Sequence, residues 1–330
     1  ARPTASFYDE DMSKLRVNLL IGTTASGKSS TALHLAERMN GEIVSVDSMK
    51  VYRRMDIGTA KPSAEARARV PHHLLDVVEP SEAFSLGRYM TAVDAAFRDI
   101  AARGKTILAV GGTMLYVQSL TRGLFEGPSA DDAFPKTSRA RVANEGLTPA
   151  YAELQKIDAE AASRIHPNDQ RRIERALEVY HLTGTPISVL QTQWETAESP
   201  YDCRVVALRR DRDEESRRIN ARVKRMIEQG LVEEVRSLLA EPKPLSDQAA
   251  QAVGYAEIIA HLKGNLTLDD AIERIKINSR RLAKHQRTWM RRMPEVEWVD
   301  IGEGSSIDAV GDSVSESWDR WKYETRTSIS

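Results

Sequence analysis

Short apolar runs alternate with amphipathic stretches along the first third of the chain. Residues 17–21, 42–46 and 106–110 have the length and β-branched content of buried strands, while residues 88–103 and 114–120 carry apolar side chains at helical spacing. Strands separated by helices pair in parallel, because each helix returns the chain to the same end of the sheet. The pattern therefore predicts an α/β fold, a three-layer parallel sheet with helices on both faces.

The alternation stops near residue 127, where the sequence reads Gly-Pro-Ser-Ala-Asp-Asp. Residues 151–157 and 168–182 then have helical patterns with no strand between them, and residues 205–208 are typical of a strand that rejoins the sheet. We therefore predict an all-helical insertion in the sheet domain. The predicted division is a discontinuous core at residues 14–127 and 203–294 and a helical insertion at residues 128–202.

Two amphipathic helices follow the predicted return strand. Residues 214–229 come after Asp213, a candidate N-cap, and carry arginines on the face opposite their apolar side chains. Residues 269–292 repeat apolar side chains at helical spacing, and we expect Leu282 and Trp289 to be buried. Both helices should pack on the core through one face and present cations on another.

The net charge of −1 conceals a strong asymmetry near the C-terminal end. Residues 274–292 contain eight Lys or Arg and no acid, whereas residues 295–330 contain nine acids and three bases. The acidic segment is rich in Gly and Ser, so residues 295–330 are predicted to form a loosely structured tail with one late helix.

Cations cluster at residues 170–175, 217–225 and 280–292. Cations that bind a phosphate backbone, with aromatic and His side chains that stack on unpaired bases, are typical of proteins that bind looped RNA. The alternative is that these runs are solvated helix faces balanced by the acidic segment.

Length and composition limit the class of protein. The 330 residues, 41% of them hydrophobic, suffice for a sizeable core and a smaller companion unit. The single cysteine, Cys203, excludes an internal disulfide or a cysteine-based zinc site and favours a reducing compartment. No apolar run approaches about 18 residues and the first residues lack the apolar core of a signal peptide, so we expect a cytoplasmic protein that binds no membrane.

A phosphate-binding loop follows the first predicted strand and opens a helix. Its glycines let backbone N–H groups turn toward phosphate oxygens, and the helix N-terminus adds a positive dipole. Lys28 supplies a cation, and the hydroxyl of Ser29 can hold Mg²⁺. The residues expected to bind a di- or triphosphate are Gly22, Thr23, Thr24, Ala25, Ser26, Gly27, Lys28 and Ser29.

Polar residues end two other predicted strands, and ligands of open parallel sheets bind beyond these carboxyl ends. Asp47 follows residues 42–46, where it could cap a helix, bind Mg²⁺ through water or act as a general base. Gly111 and Gly112 permit a close backbone approach, and Thr113 presents a hydroxyl, although a plain turn or helix start has the same pattern.

Two further features extend this candidate site. Residues 48–62 are too polar for a core and are typical of a binding loop. Arg218 and Arg222 lie four positions apart on one helix face, a spacing that suits phosphate binding or a solvated surface.

Six segments resemble the signature segments of the bacterial tRNA dimethylallyltransferase family, in the family's order, between residues 22 and 291. The segments are the phosphate loop, Asp47–Pro62 (DSMKVYRRMDIGTAKP), Gly111–Tyr116 (GGTMLY), Arg171–Glu178 (RRIERALE), Val253–Tyr255 (VGY) and Lys284–Trp289 (KHQRTW). The Asp47–Pro62 block is the most specific of them. Departures are Thr23 where Pro is usual, Lys50 where Gln is common and Ala256 where Lys or Arg is frequent.

The resemblance implies a P-loop fold and a reaction. The dimethylallyl group of dimethylallyl diphosphate would pass to N6 of the adenosine on the 3′ side of the anticodon, in tRNAs that read codons beginning with U, with release of diphosphate. Lys28 and Ser29 would hold the diphosphate with Mg²⁺, Asp47 would accept the N6 proton, Thr113 would position the amine and Arg222 would stabilise the leaving group.

The resemblance also implies that the insertion clamps the anticodon stem–loop, and that the protein is a monomer with no obligate protein partner. Residues near Pro135 and Lys136 stay unassigned. The residues implied to contact tRNA are Asp47, Ser48, Met49, Lys50, Thr113, Arg171, Arg172, Ile173, Glu174, Arg175, Gln251, Ala252, Val253, Gly254, Tyr255, Ala256, Arg281 and Lys284. Two other functions fit the phosphate loop: a small-metabolite kinase, which needs no RNA surface, and an RNA-binding NTPase.

Overall fold

The computed structural model describes residues 14–123, 137–138, 141–142, 144–191 and 199–327, with side chains to residue 320. The chain divides into two compact units, residues 1–118 with 200–330, and residues 119–199. The second unit begins nine residues before the predicted 128 and ends three residues before the predicted 202. The predicted start of the insertion, and Pro135 and Lys136, lie outside the described residues.

The first unit contains one sheet of six parallel strands in the order β3-β2-β4-β1-β5-β6. The central strands are buried on both faces, as expected for a parallel sheet covered by helices. The predicted α/β class is therefore confirmed. The strands are β1 (Leu15–Gly22), β2 (Gly41–Val46), β3 (His72–His73), β4 (Thr106–Gly111), β5 (Tyr201–Arg210) and β6 (Val296–Ile301).

The register of the sheet brings the chemistry-bearing loops together. Ile21 of β1 lies opposite Gly111 of β4, which in turn lies opposite Val46 of β2. The three strands thus end at one level, and the residues that follow them share one edge of the sheet.

Helices flank the strands of this unit. They are α1 (Lys28–Arg38), α2 (Ala64–Arg69), α3 (Leu86–Ala102), α4 (Met114–Arg122), which continues into the second unit, α9 (Arg212–Glu228), α10 (Leu231–Leu239), α11 (Asp247–Ala250), α12 (Tyr255–Leu262), α13 (Leu268–Met290) and α14 (Ile307–Thr327). The expected cap of α9 was wrong by two positions: the side chain of Asp211, not Asp213, accepts the backbone N–H groups of residues 213 and 214. None of the described helices has the length and apolar character needed to cross a membrane.

The second unit is helical where it is described. Its helices include α5 (Leu147–Ile157), α6 (Ala159–Arg164), α7 (Gln170–Thr183) and α8 (Ile187–Gln191). Leu154, Ile173 and Leu177 form its small core. Because Ile173 is fully buried there, its side chain cannot contact RNA, which corrects that part of the expectation.

The prediction of a loosely structured tail was wrong for the described residues, although its one late helix is present as α14. β6 pairs with β5, and Val310, Val314 and Trp318 of α14 are buried against the sheet and α1. The Trp318 indole N–H donates to the Arg204 carbonyl at 3.1 Å, and the Arg204 guanidinium donates to the Trp318 carbonyl at 2.8 Å. The acids that suggested disorder lie mainly on the exposed side, where Asp300 pairs with Arg209 at 2.5 Å.

Candidate active site at the carboxyl ends of the strands

The phosphate loop connects β1 to α1, as predicted. Ala25 and Gly27 have φ values of 62° and 102°, so the backbone turns through the left-handed region before Lys28 begins the helix. A side chain at Gly22 would place its Cβ 2.7 Å from the Ser26 hydroxyl oxygen. Backbone geometry therefore requires glycines at positions that the sequence pattern selected.

Two arginines donate hydrogen bonds to backbone carbonyls of the phosphate loop. Arg210 donates to the Ser26 carbonyl at 2.8 Å, and Arg218 donates to the Ala25 carbonyl at 2.9 Å. These bonds hold the outer carbonyls of the loop. The spacing of Arg218 and Arg222 suited phosphate binding or a solvated surface, but the Nε of Arg218 donates to the loop backbone.

A buried carboxylate supports the same loop. Glu215 of α9 accepts the hydroxyl hydrogen of Thr23 and pairs with Arg287 of α13. Glu215 is 5% exposed, so this pairing compensates a charge that would be costly to bury alone. Sequence reasoning missed Glu215, which stood among several acids in the first turn of a predicted helix.

Three half-buried cations, Lys28, Lys50 and Arg222, interact electrostatically with Asp47. The Lys28 ammonium donates to the Thr23 carbonyl at 3.0 Å, whereas the side chains of Lys50 and Arg222 have no hydrogen-bond or ion-pair partner among the described residues. Burial, together with the charges of Lys50 and Arg222, lowers the pKa of Lys28 to about 7. Burial is also the main cause that lowers the pKa of Lys50 and of Arg222, and Asp47 opposes it in both. The cluster has excess positive charge and suits an anion.

Asp47 lies in the turn that follows β2. Its Oδ1 accepts the Met49 N–H at 2.9 Å, and no helix begins there, so it closes an Asx-type turn and caps no helix. Its Oδ2 has no hydrogen-bond partner among the described residues. The Thr113 hydroxyl accepts the Ser48 N–H at 2.9 Å and lies 3.3 Å from the Ser48 hydroxyl. One carboxylate oxygen is thus free to accept a proton beside Thr113.

The glycine pair before Thr113 allows this close approach. A Cβ at Gly111 would lie 2.0 Å from the Val46 carbonyl oxygen, and one at Gly112 would lie 2.6 Å from the Gln286 amide nitrogen. The N–H groups of Gly112 and Thr113 both donate to the Val46 carbonyl, at 3.1 and 3.2 Å. The predicted close backbone approach is therefore confirmed.

Glu234 of α10 and Tyr255 of α12 support the loop after β2. Oε2 of Glu234 accepts the N–H groups of residues 56 and 57 at 3.0 and 2.7 Å, and Oε1 accepts that of Gly58 at 3.2 Å. The Tyr255 hydroxyl donates to the same Oε1 at 2.5 Å, and its ring lies so close to Gly58 that no side chain fits there. Since Tyr255 is fully buried, it organises the loop and does not face an RNA surface. Glu234 was not predicted.

Four of the six cations predicted to contact RNA are at the surface, whereas Lys50 and Arg175 are half-buried. Arg281 and Lys284 of α13 are exposed, as are Arg171 and Arg172 of the helical unit. Arg175 instead pairs with the buried Glu178 at 2.6 Å.

The remaining implied tRNA contacts differ in accessibility. Gln251 is exposed and Val253, Ala256 and Glu174 are half-buried, whereas Ala252 and Gly254 are buried. On α13, Leu282 and Trp289 are 41% and 38% exposed, so the prediction that they are buried was wrong.

A metal would have few protein ligands here. The described residues contain no group of three His, Cys, Asp or Glu that could hold an ion. The Ser29 hydroxyl is exposed at the start of α1 and makes no hydrogen bond to any residue that the structure describes, so it is available as a ligand. This arrangement fits Mg²⁺ held by one hydroxyl and by phosphate oxygens.

Comparison with known proteins decides the family. The family model described as IPP transferase matches residues 50–293, and the one described as isopentenyl transferase matches residues 15–73. The chain belongs to the tRNA dimethylallyltransferase family. It is therefore a prenyl-transferring enzyme.

Relatives match along nearly their whole length. The chain is 48% identical to a tRNA dimethylallyltransferase of Geobacter metallireducens, over 89% of this chain and 96% of the relative. It is 45% identical to one of Methylococcus capsulatus, over 90% and 96%.

Solved structures agree. The tRNA isopentenylpyrophosphate transferase of Bacillus halodurans is 38% identical, with a TM-score of 0.71 over 96% of this chain and 100% of that chain. A eukaryotic dimethylallyltransferase acting on tRNA is 30% identical, with a TM-score of 0.78 over 92% and 78%. The predicted family and P-loop fold are confirmed.

Proposed function

We propose that this enzyme transfers the dimethylallyl group from dimethylallyl diphosphate to N6 of the adenosine on the 3′ side of the anticodon, in tRNAs that read codons beginning with U, and releases diphosphate. The observation that carries the proposal is the phosphate loop with Lys28 bound to its Thr23 carbonyl, beside the Asp47 turn at the same sheet edge. The half-buried Lys28, Lys50 and Arg222 all interact electrostatically with Asp47. Family membership supplies the identity of the two substrates.

The phosphate loop and the cation cluster bind the diphosphate end of the donor. Lys28 and Arg222 lie beside the loop in a half-buried environment, where charged hydrogen bonds are stronger than in water. Mg²⁺, bound by Ser29 and the diphosphate oxygens, would supply further positive charge for the leaving group. Because the charge on the diphosphate grows as the carbon–oxygen bond breaks, Arg222 stabilises the transition state more than the bound donor.

Asp47 accepts the proton that the amine loses. An exocyclic adenine amine is a weak nucleophile, so the site must align it with the donor and exclude water. The free Oδ2 of Asp47 and the hydroxyl of Thr113 lie at the sheet edge that also carries the phosphate loop. Oδ1 is held by the Met49 N–H, which fixes the carboxylate for this role.

The acceptor base has to leave its stack to reach Asp47. A base in a duplex is inaccessible, whereas an unpaired loop nucleotide can be extruded at a low cost. The exposed cations Arg171, Arg172, Arg281 and Lys284 would bind the phosphates of the stem–loop and position it.

Competition binding tests the identity of the donor. Purified protein is titrated with a fluorescent diphosphate, and dimethylallyl diphosphate, ATP and GTP compete for the site. Dimethylallyl diphosphate should displace the probe at the lowest concentration. Tighter binding of ATP or GTP would favour a kinase or an NTPase and would contradict the proposal.

Substitution of the proton acceptor tests the chemistry. Asp47→Asn keeps the size and one accepting oxygen of the side chain but removes the base, so the single-turnover rate should fall roughly 10²–10⁴-fold with little change in tRNA affinity. Asp213→Asn, an exposed change near the start of α9, is the matched control. An Asp47→Asn enzyme that keeps more than about a third of the wild-type rate would remove Asp47 from proton transfer.

A further inference from the structure

Gln286 connects the two halves of the candidate site. It projects from α13 and is 8% exposed. Its Oε1 accepts the N–H of Thr24 in the phosphate loop at 2.9 Å, and its Nε2 donates to the Gly112 carbonyl at 2.8 Å. One carboxamide thus joins the loop that would bind the donor to the turn that carries Thr113.

The chemistry of its neighbours fixes the orientation of this carboxamide. The Thr24 N–H can only donate and the Gly112 carbonyl can only accept, so a flipped amide would lose both bonds. A hydrocarbon side chain of the same size would leave two backbone groups without partners in a buried place, which is costly.

Gln286 packs so closely against Gly112 that this position has no room for a side chain. A Cβ at Gly112 would lie 2.6 Å from its Nε2 and 2.9 Å from the Gly22 carbonyl oxygen. The next residue of α13, Arg287, pairs with Glu215, which accepts the Thr23 hydroxyl hydrogen. Two successive residues of α13 therefore hold successive residues of the phosphate loop.

Thr24 is a position where a phosphate loop would be expected to offer its N–H to the ligand. Here that N–H is bound to Gln286, so the loop is held from α13 at this point. The other partner, Gly112, precedes Thr113, whose hydroxyl fixes Ser48 next to Asp47. One side chain, that of Gln286, therefore links the phosphate loop of the donor subsite to the turn that carries the proton acceptor.

We propose that Gln286 is a positioning residue that sets the phosphate loop relative to the Asp47–Thr113 turn and so aligns the donor carbon with the acceptor amine. The inference rests on the proposed function, since it assigns these two subsites to the two substrates. A misplacement of about 1 Å between reacting groups can cost about a hundredfold in rate. Gln286 touches neither substrate in this role.

Three variants separate alignment from binding and from folding. Gln286→Met keeps the volume and removes both hydrogen bonds. Gln286→Glu keeps the shape and can replace the donor only when its carboxyl group is protonated. Ile277→Ala, at a 39% exposed position of the same helix, is the matched control.

Single-turnover rates at saturating donor and tRNA give the first readout. For Gln286→Met the rate should fall about 10- to 100-fold, while the Kd values for dimethylallyl diphosphate and tRNA change less than about threefold. Hydrogen exchange of the free enzymes gives the second, and the Thr24 amide should exchange faster in Gln286→Met than in wild type. Ile277→Ala should match wild type in both.

The Glu variant tests the bridge itself. The ratio of its rate to that of wild type should rise as pH falls from about 8 to about 6, because protonation restores a donor toward the Gly112 carbonyl. A constant ratio, a wild-type rate for Gln286→Met, or a defect confined to KM would overturn the inference. Wild-type protein that prenylates no tRNA would instead overturn the proposed function, and with it this role.

Discussion

The lowered pKa of Lys28 predicts that donor binding takes up a proton. In the free protein, burial and the charges of Lys50 and Arg222 lower this pKa to about 7. A bound diphosphate places negative charge beside the ammonium, which favours its charged form and raises the pKa again. Above neutral pH, therefore, the donor binds together with a proton.

The size of the effect follows from the pKa. At about pH 8 a group of pKa 7 is about one-tenth protonated, so complete protonation in the complex takes up about 0.9 proton. At about pH 6 the group is about nine-tenths protonated already, and the uptake falls to about 0.1 proton. As pH rises from about 6 to about 8, the affinity for the donor should correspondingly weaken about tenfold.

Calorimetry measures this uptake directly. Titration of the protein with dimethylallyl diphosphate, in buffers of different ionisation enthalpy, gives the number of protons bound at each pH. Lys28→Arg is the control, because a guanidinium stays charged across this range, and the ligand's own titration is common to both proteins. Equal proton uptake by the wild type and Lys28→Arg at about pH 8 would refute the reasoning.

Three other predictions follow from the same site and its surroundings. Arg222→Ala should slow single turnover about 10- to 100-fold, since charged hydrogen bonds are worth about 1.5–3 kcal/mol, and an unchanged single-turnover rate would exclude it from the mechanism. Gly112→Ala should lower the free energy of unfolding by about 1–3 kcal/mol, because the new Cβ meets Gln286. The control is Gly87→Ala in α3, which should not destabilise the protein because no atom lies closer than 3.9 Å to its new Cβ. Equal unfolding midpoints of the two variants would contradict this prediction. Replacing a surface cation that binds RNA with alanine should reduce the slope of log tRNA affinity against log salt by up to about 0.7–0.9, without changing donor affinity. If all four alanine variants keep the wild-type slope, these residues do not bind RNA and are solvated surface residues. The four positions are Arg171, Arg172, Arg281 and Lys284.

Features encoded by neighbouring residues could be predicted from the sequence. The phosphate loop is contiguous, and its strand and helix are where the hydrophobic pattern placed them. The strand β6 was missed because only half of its residues are buried and acidic residues lie among them. Their charge hid the hydrophobic pattern of a strand. The exposure of Leu282 and Trp289 was missed because spacing defines a helix face but does not say what covers it.

The residues that hold the site's loops in place could not be predicted from neighbouring sequence in this way. Glu215 reaches Thr23 across 192 positions, and Gln286 reaches Thr24 across 262. Glu234 binds a loop almost as distant. Each is one polar residue in an ordinary amphipathic helix, and only the fold shows what its side chain meets. Residues that would contact substrate stood in recognisable segments, whereas most of the residues that hold them did not.

Analysis of the modified nucleoside tests the central claim most directly. The purified enzyme is incubated with labelled dimethylallyl diphosphate, Mg²⁺ and bulk tRNA, and the RNA is digested and separated. The account predicts label in N6-dimethylallyladenosine, and none when the adenosine beside the anticodon is replaced by guanosine in a defined tRNA. RNA without label, with transfer of phosphate from ATP to a small molecule instead, would contradict it.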